Sequence, residues 1–390
     1  MRYAIVTETY PPEINGVALT VQSLEHGLRD RGHAVETVRP RQSRQDAAAR
    51  HELLVPGVPL PRYPGLRFGL PALRRLAAHW SQQRPDAIYV ATEGPLGWSA
   101  LRAARRLGIP AATGFHTRFD RYMRDYGAPW LETVALGWMR RFHNGAQATL
   151  VPTEELRDEL SRLRFDNVVR LSRAVDLELF HPRHRDDALR AQWGLGPDGI
   201  AVVHVGRIAA EKNLPLAVNA FRALQAQRPD ARFVWVGDGP MRAELAAQHP
   251  DFVFSGLQRG EALARHFASA DLFVFPSRSE TYGNVTLEAL ASGVPTIAFD
   301  YGAAREHLRD GRDGAAVADS EEADAAFVRA AVRIGADAAL RAAMRLSART
   351  AVDGLHPRRV AADFDALLQS LTPKDNAHAP STAMAPSARE

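Results

Sequence analysis

The chain contains no cysteine, which excludes disulfide bonds and metal sites built on thiolates. Disulfides are typical of secreted proteins, so their absence favours an intracellular location. The sequence also lacks any run of about 18 apolar residues, so no segment is predicted to span a membrane. The opening Met-Arg-Tyr-Ala-Ile-Val-Thr lacks the long apolar stretch of a signal peptide and is typical of a first β-strand. We therefore expect a cytoplasmic protein.

Lysine is nearly absent: the sequence has two, Lys212 and Lys374, against 47 arginines. Lys374 falls in a terminal stretch rich in proline, alanine and serine, so Lys212 is the lysine expected in the folded part. An ammonium group is a compact point charge, whereas a guanidinium is a planar fork. A lysine where arginine is otherwise used indicates a site that needs the smaller group, although chance also explains a single lysine.

The 390 residues are too many for one ordinary hydrophobic core, which predicts two domains. Residues 1–170 carry 24 arginines against 17 acidic residues, whereas the remainder carries slightly more acidic than basic residues. A basic first half predicts an anionic partner. A phospholipid surface or an anionic acceptor fits better than nucleic acid, because aromatic residues are not interleaved with the arginines as a base-stacking groove requires.

Strand and helix patterns alternate along the chain to about residue 172, and the alternation restarts with the apolar run at 201–206. This predicts an α/β fold of two doubly wound, Rossmann-like domains that face one another across a deep cleft. Residues 41–66 are polar or rich in proline and glycine and are predicted to be irregular. The predicted boundaries are a first domain at 1–172, a linker at 173–200, a second domain at 201–354, a helix at 355–371 that packs back on the first domain, and a disordered tail at 372–390.

The most informative segment is Ser279-Glu-Thr-Tyr-Gly-Asn-Val-Thr-Leu-Glu288, which lies between two apolar strands. A helix that begins near Asn284 carries Glu288 about one turn inside it, roughly 6 Å along the axis, and leaves Glu280 in the preceding loop. The first amides of such a helix, those of Gly283, Asn284 and Val285, have no partner within the helix and favour an anion. Carboxylates beside a phosphate site are well placed to accept hydrogen bonds from sugar hydroxyls, as the ribose-binding carboxylate of dinucleotide folds does. The alternative is an ordinary strand–helix joint with two solvated glutamates.

Further candidate residues follow other predicted strands. Arg207 and Lys212 come after the strand at 201–206 and are placed to neutralise a diphosphate, unless they are surface cations at a helix start. Gly16, in the first strand–helix loop, lets the backbone approach a phosphate, or is a simple turn glycine. His116 follows a strand end and is a candidate for a sugar contact or proton movement, or for a core histidine.

Other signatures are missing. The sequence has no Walker loop, no Gly-x-Gly-x-x-Gly after a strand and no His-Glu-x-x-His. Asp238 of Gly237-Asp-Gly239 is interpreted as a turn residue. Asp363 and Asp365 form an Asp-x-Asp in a helical pattern, where the two acids diverge, so we predict no metal clamp there. We expect no metal and no cofactor, because Arg207, Lys212 and helix-start amides can supply the charge that a divalent ion would supply.

Several segments together resemble glycosyltransferase family 4, whose members have the two-domain GT-B architecture, and the resemblance covers residues 1 to about 370. The segments are Glu8-Thr-Tyr-Pro-Pro-Glu-Ile-Asn-Gly16, Gly114-Phe-His-Thr-Arg-Phe-Asp120, Val205-Gly-Arg-Ile-Ala-Ala-Glu-Lys212, Val236-Gly-Asp-Gly-Pro240 and the Glu280–Glu288 block ending in Ala-Ser-Gly-Val-Pro295. The resemblance implies metal-independent, retaining transfer of a hexose from a nucleotide-diphosphate sugar. It makes the first domain acceptor-binding and the second nucleotide-sugar-binding.

The resemblance also implies roles for individual residues. Glu280 matches the acid that holds the donor sugar, and Glu288 the acid on the ribose. Arg207 and Lys212 match the diphosphate pair. The remaining matches are Gly16 as the phosphate-loop glycine, His116 as the sugar-contacting histidine, the backbone around Ser255 to Leu257 at the base, and Tyr282, Gly283, Asn284 and Val285 at the donor.

Two segments, the Tyr-Pro-Pro…Asn-Gly run that ends at Gly16 and the His-Thr-x-Phe-Asp-x-Tyr run that begins at His116, further resemble bacterial members that use GDP-mannose or make glycolipids. We therefore predict a retaining α-glycosyltransferase that moves mannose from GDP-mannose to a lipid or glycan acceptor. The alternatives are a UDP-sugar-dependent glycolipid synthase that adds glucose or sulfoquinovose to diacylglycerol, a sugar-nucleotide epimerase, and a non-catalytic nucleotide-sugar binder.

Two amphipathic segments suggest peripheral contact with an anionic membrane, on the inner face of the cytoplasmic membrane. The first joins an apolar stripe to arginines, and the second is an aromatic and basic cluster. Packing of the apolar stripes against a sheet explains them equally well. The residues are Arg67, Leu70, Leu73, Arg74, Arg75, Leu76 and Trp80, and then Trp138, Met139, Arg140, Arg141 and Phe142.

Overall fold

The computed structural model describes residues 1–11, 13, 15–43, 45–59, 67–116, 130–278, 280 and 282–372. Apart from Thr372, the predicted disordered tail lies outside these residues. So do residues 117–120 of the histidine segment, and Ser279 and Thr281 of the glutamate segment.

The first domain is built on a seven-stranded parallel sheet with the strand order β3-β2-β1-β6-β7-β8-β9. The order reverses between β1 and β6, and ligands bind at such reversal points in open parallel sheets. The strands are β1 (Arg2–Val6), β2 (Ala34–Pro40), β3 (Glu52–Val55), β6 (Ala87–Val90), β7 (Ala111–Gly114), β8 (Ala148–Val151) and β9 (Val168–Arg170). The helices are α1 (Gly16–Asp30), α2 (Leu73–Gln82), α3 (Pro95–Leu107), α4 (Trp130–His143) and α5 (Glu154–Arg162).

The second domain repeats this plan with a six-stranded parallel sheet, ordered β12-β11-β10-β13-β14-β15 and reversing between β10 and β13. The strands are β10 (Ala201–Val205), β11 (Arg232–Val236), β12 (Val253–Gly256), β13 (Leu272–Phe275), β14 (Thr296–Phe299) and β15 (Gly314–Val317). The helices are α6 (Asp187–Gln192), α7 (Leu214–Gln225), α8 (Arg242–Gln248), α9 (Gly260–Ser269), α10 (Asn284–Ala291), α11 (Gly302–His307), α12 (Ala323–Ala336) and α13 (Ala338–Ala348). The predicted α/β fold of two doubly wound domains is confirmed.

Apolar residues cover both faces of each sheet, because successive side chains of a strand point to opposite sides. In β1, Tyr3 and Ile5 pack with α1, whereas Ala4 and Val6 pack with α2 and α3. The same alternation in β10 sends Val203 and Val205 to one layer and Val202 to the other. Buried strands of this kind are the reason why the sequence reads as short continuous apolar runs.

Residues 173–200, predicted as the linker, connect the two sheets and also pack on the second domain. Val175, Phe180 and Trp193 are buried in its core, and Arg190 of α6 bonds Asp271 at 2.7 Å. On the first-domain side, Glu306 of α11 accepts the backbone N–H of Glu154 at 2.7 Å. The two domains are therefore joined by contacts beside the connecting chain.

The chain returns to the first domain through α14 (Pro357–Leu371), in the region predicted for a returning helix. Val360, Phe364 and Leu368 pack in the layer formed by α1. The Asp365 carboxylate is bonded by Tyr3 and Arg31, each at 2.9 Å, so this half of the Asp-x-Asp motif is a buried tie between the helix and the first domain.

The interpretation of residues 41–66 as irregular is wrong at its centre. Residues 52–55 form β3, which pairs with β2 at the sheet edge, and residues 57–59 form β4, which pairs with β5 (Arg67–Gly69) as an antiparallel ribbon. The run Leu53-Leu54-Val55 is apolar enough to complete the sheet, although it is short and lies between polar residues and a Pro-Gly pair. Among the described residues, no helix is both long and apolar enough to cross a membrane.

Candidate functional site at the interdomain cleft

The joint between β13 and α10 leaves a helix start open to the cleft. Gly283 stands at the N-cap with φ of 92°, a left-handed conformation that glycine adopts without strain, and it supplies no capping side chain. The α10 helix begins at Asn284, as predicted. The first amides of α10 have no partner inside the helix, so they are oriented to receive an anion.

Glu280 lies in the loop before this helix and is fixed on several sides. Its Oε1 accepts a hydrogen bond from Lys212 Nζ, and another from Ser277 Oγ at 3.0 Å. Its backbone N–H donates to the Tyr301 hydroxyl at 3.1 Å, and that hydroxyl donates to the Ser277 carbonyl at 2.7 Å. The side chains of Glu280 and Lys212 are 20% and 17% exposed, so the ion pair is largely withdrawn from water. The structure therefore brings these two predicted residues together.

Glu288 and Asn284 face the cleft between the domains. Both line a cavity with His116, Tyr89 and Arg173 of the other wall. Burial raises the pKa of Glu288 from 4.5 to about 7. The Oδ1 atom of Asn284 is buried and has no hydrogen-bond partner within the described part of the chain. A buried amide oxygen of this kind is costly unless a ligand or water satisfies it.

The opposite wall begins with the turn that opens α1. The Asn15 side chain caps this helix, because its Oδ1 accepts the N–H groups of Val17 at 3.1 Å and Ala18 at 2.8 Å. A Cβ placed on Gly16 would lie 3.4 Å from Nδ2 of Asn284. Gly16 and Asn284 are therefore close across the cleft, and a side chain on residue 16 would narrow the gap between the domains.

His116 is held by hydrogen bonds on both ring nitrogens. Nε2 lies 2.8 Å from the Tyr89 hydroxyl, and Nδ1 lies 3.0 Å from a guanidinium nitrogen of Arg173. Burial and then the neighbouring positive charge of Arg173 place the pKa of His116 well below its ordinary value, so the ring is neutral. The predicted role of His116 as a sugar contact stays a prediction.

The remaining predicted residues are not among those that line the cavity with Glu288 and His116. Arg207 is exposed and pairs with Glu211 at 3.4 Å, apart from the Lys212–Glu280 contact. The Ser255 carbonyl accepts a hydrogen bond from Gln258 at 2.6 Å, and Leu257 is 56% exposed at the end of β12. Asp238 bonds the N–H of Gly239 at 2.8 Å, which is the geometry of a turn residue.

Sequence reasoning did not single out Arg173, Tyr89 or Tyr301. Tyr301 comes just after β14, so the rule that ligands bind beyond strand ends was a signal for it. Tyr89 is inside a strand and has the pattern of a core residue. Arg173 begins the segment predicted as a linker, where nothing in the local sequence indicates a site.

Two doubly wound parallel sheets, with the uncapped start of α10 at the cleft between them, have the architecture of GT-B glycosyltransferases. Residues 14–179 match the family described as Glycosyltransferase Family 4, and residues 199–337 match Glycosyl transferases group 1. The chain therefore belongs to glycosyltransferase family 4, as the sequence motifs predicted.

Individual relatives agree with this assignment. A GDP-mannose-dependent alpha-mannosyltransferase of Mycolicibacterium smegmatis is 36% identical, over 80% of this chain and 84% of that protein. An alpha-monoglucosyldiacylglycerol synthase of Streptococcus pneumoniae is 27% identical, over 76% of this chain and 71% of that protein. The solved structure of sucrose-phosphate synthase from Thermosynechococcus elongatus has a TM-score of 0.78 at 20% identity and covers 95% of this chain and 98% of its own, which supports the fold.

Proposed function

We propose that this glycosyltransferase moves mannose from GDP-mannose to a lipid or glycan acceptor with retention of the anomeric configuration. The observation that carries the proposal is the Glu280–Lys212 ion pair beside the open start of α10, which suits a sugar joined to a diphosphate. The choice of donor is supported by the 36% identical relative that is named as GDP-mannose-dependent.

In the proposed complex the diphosphate lies at the amides of Asn284 and Val285 and is paired with Lys212. Arg207, which is exposed, turns from Glu211 to the diphosphate when the donor binds. The acceptor oxygen forms a bond to the anomeric carbon on the face from which the diphosphate leaves. A phosphate oxygen of the leaving group takes the proton of the acceptor hydroxyl. The cations and amides stabilise the charge on the leaving group, and we propose that no metal is required.

The two glutamates divide the contacts to the sugars of the donor. Glu280, held in place by Lys212 and Ser277, accepts hydrogen bonds from hydroxyls of the mannose. Glu288 accepts from the ribose hydroxyls, and its partly buried position makes these bonds strong once its carboxylate is ionised. The Oδ1 atom of Asn284, which has no partner among the described residues, accepts a hydrogen bond from a further hydroxyl of the nucleotide sugar.

A donor screen tests the function. GDP-mannose, GDP-glucose, UDP-glucose and UDP-sulfoquinovose are each incubated with the enzyme and with lipid or glycan acceptors, with EDTA or Mg²⁺ present in parallel. We expect consumption of GDP-mannose with equal rates in EDTA and Mg²⁺. Glu280→Ala abolishes transfer without unfolding the protein, whereas the matched control Glu244→Ala, an exposed acid of α8, keeps it. Wild-type turnover by Glu280→Ala would remove Glu280 from the site.

A UDP-sugar-dependent glycolipid synthase is the second candidate. It is supported by the relative named as a synthase of monoglucosyldiacylglycerol. Consumption of UDP-glucose or UDP-sulfoquinovose with diacylglycerol, and none of GDP-mannose, would replace the first proposal by this one. Conversion of a donor without any acceptor would indicate epimerase chemistry instead.

We also propose peripheral contact of the first domain with anionic lipid. The apolar stripe of α2 does not support it, because Leu76 and Trp80 are fully buried against the sheet. The exposed apolar residues Phe68, Leu70 and Trp138 support it, together with the neighbouring Arg67. Sedimentation with liposomes of anionic lipid at low salt is the test: pelleting is expected, and a protein that stays in the supernatant would end the idea.

A further inference from the structure

Arg173 is a buried arginine at the centre of the cleft. It is 6% exposed, and no carboxylate of the described residues forms an ion pair with it. A buried guanidinium is expensive to desolvate, and in most proteins it is matched by an acid. Burial without a carboxylate partner among the described residues therefore indicates that Arg173 has a role other than forming an ion pair.

The partners of Arg173 come from three separate parts of the site. One guanidinium nitrogen donates to the Gly16 carbonyl at 3.2 Å and contacts Thr20 Oγ1, both in the first turn of α1. The other nitrogen bonds His116 Nδ1 at 3.0 Å. The guanidinium carbon also lies 5.7 Å from the ring centre of Tyr282, in the loop just before α10 in the second domain.

The contact with His116 fixes where the proton of the imidazole lies. A guanidinium has donors only, so Nδ1 must accept. The neutral ring then carries its proton on Nε2 and donates it to the Tyr89 oxygen, 2.8 Å away. Protonation of Nδ1 would place two donors face to face and break the bond to Arg173.

We propose that Arg173 is a positioning residue of the transfer reaction, which holds His116 as the neutral Nε2–H tautomer and ties it to the first turn of α1. The role in transfer rests on the proposed function, whereas the tautomer of His116 does not. A neutral His116 leaves the positive charge of the site on Lys212 and Arg207, where the diphosphate is proposed to leave.

The charged and titratable groups around His116 agree with this assignment. Burial comes first, and the charges of Arg173 and His143 add to it in lowering the pKa of His116. Tyr89 faces the ring from β6, and Glu93 lies behind His143, with its carboxylate 3.4 Å from Nε2 of that residue. His143 and Arg173 both lower the pKa of His116. A variant without Arg173 therefore shows how much of the lowering is due to Arg173.

The first experiment needs no activity. Nitrogen-15 NMR of the histidine rings in the full-length protein is recorded from pH 5 to 8, and the His116 signals are identified by their loss in His116→Gln. We expect a neutral ring with its proton on Nε2 over the whole range. An Nδ1–H tautomer in the wild-type protein, or titration of His116 near its ordinary value of 6.5, would overturn the proposal.

The second experiment compares Arg173→Met and Arg173→Lys with Arg157→Met, which removes an exposed arginine of α5. In Arg173→Met the pKa of His116 rises, because one of the charges that lower it is lost, and the ring proton is no longer confined to Nε2, because Nδ1 has lost its donor. We expect kcat to fall by up to about 100-fold, the size expected when a group is misplaced by ~1 Å. Arg173→Lys keeps a cationic donor and restores the Nε2–H tautomer and part of kcat.

The kinetic measurements use the donor that the enzyme consumes, whichever it is. Arg157→Met is expected to match the wild type in both measurements. A neutral Nε2–H ring and an unchanged pH profile of kcat in Arg173→Met would show that Arg173 is only a structural tie. If Arg173→Met does not fold, the tautomer of the wild-type protein alone decides the question.

Discussion

The two helix starts that meet across the cleft, those of α1 and α10, follow the same strand–turn–helix plan but treat their amides differently. The Asn15 side chain takes up the amides of Val17 and Ala18 at the start of α1. At the start of α10, Gly283 provides no side chain, and no side chain of the described residues caps the amides. This difference is the reason why we propose the anion site at α10, with α1 as the wall that faces it.

The surrounding residues repeat this contrast. The second domain brings Glu288, whose pKa is raised, to the cleft, and it holds the Lys212–Glu280 pair at the loop before α10. The first domain brings a neutral His116 and the buried Arg173, which is bonded to the Gly16 carbonyl. Although the first half of the sequence is the more basic one, the cation that contacts a predicted sugar-binding acid belongs to the second half. The overall charge of a domain is therefore a poor guide to the charge at its site.

Among the tests of this contrast between the two domains, the largest effect is expected for Lys212→Arg. Both partners of the Lys212–Glu280 pair are mostly buried, and a planar guanidinium needs more room than an ammonium, so Glu280 is displaced. We expect kcat/KM to fall by about 100-fold or more, the size of lost stabilisation of a developing charge. The matched control is Lys374→Arg, the other lysine of the chain, which should behave as the wild type. Similar values in both variants would mean that the site does not need the smaller cation.

The next effect is a pH dependence of donor binding set by Glu288. Because burial raises the pKa of Glu288 to about 7, its ionised fraction falls about tenfold for each pH unit well below that value. The donor KM should rise accordingly as the pH falls from 7 to 5. In Glu288→Gln the KM should be high and independent of pH over this range. A wild-type profile in this variant would place the ribose elsewhere.

Glu288 is also expected to affect the free energy of unfolding in a pH-dependent way. A carboxyl group whose pKa is raised by folding favours the native state at low pH, and this contribution is lost as the pH rises through about 7. Glu288→Gln should therefore increase the free energy of unfolding at pH 8 by about 2 kcal/mol and have little effect near pH 4. Urea unfolding at both pH values measures the difference, and a destabilised variant at pH 8 would contradict it.

A suitable control for Glu288 is Glu8→Gln. Burial also raises the pKa of Glu8 to about 7, but its carboxylate accepts the backbone N–H of Leu96 at 3.0 Å and contacts that of Gly69. Loss of the Glu8 carboxylate should change the free energy of unfolding but leave the pH dependence of the donor KM unchanged.

A smaller effect is expected for Gly283→Ala. Alanine at φ of 92° costs about 1–2 kcal/mol, and the helix start that receives the diphosphate shifts as the strain relaxes. We expect the donor KM to rise about tenfold, as one tenfold step corresponds to ~1.4 kcal/mol. Titration with GDP measures the affinity directly, and unchanged affinity would contradict an anion site at α10.

The smallest effect on donor binding is expected for Asn15→Ala, the equivalent change at α1. Loss of an N-cap costs about 1 kcal/mol of stability. Because the amides at the start of α1 are proposed to bind no ligand, the affinity for GDP should change by less than about twofold. Thermal unfolding and the same GDP titration measure both quantities. A tenfold loss of affinity would mean that both helix starts bind the anion.

The sequence was sufficient wherever a site depends on local chemistry. The glycine at 283 and the apolar runs on either side predicted the start of α10 near Asn284, and the two strands predicted to flank the segment are β13 and β14. Glycine in a turn and continuous apolar strands are signals carried by neighbouring residues. The match to known family segments added the proposed roles of Glu280 and Lys212.

What the sequence did not predict depends on residues that are distant along the chain. Arg173 meets Gly16 from 157 positions away and His116 from 57. The burial of Trp80 was equally undecided, because an apolar stripe on α2 has the same pattern whether it faces a sheet or a lipid. β3 was missed because pairing with β2 stabilises a run that is too short to stand out.

The return of α14 to the first domain has a consequence for protein engineering. Its residues Val360, Phe364 and Leu368 cover apolar side chains of α1, and Asp365 is bonded to Tyr3. Residues 1–172 are thus an incomplete folding unit without the helix at 357–371. A chimera that exchanges the first domain with that of another glycosyltransferase has to transplant both segments together, since an exchange of residues 1–172 alone would leave a foreign helix against the grafted surface.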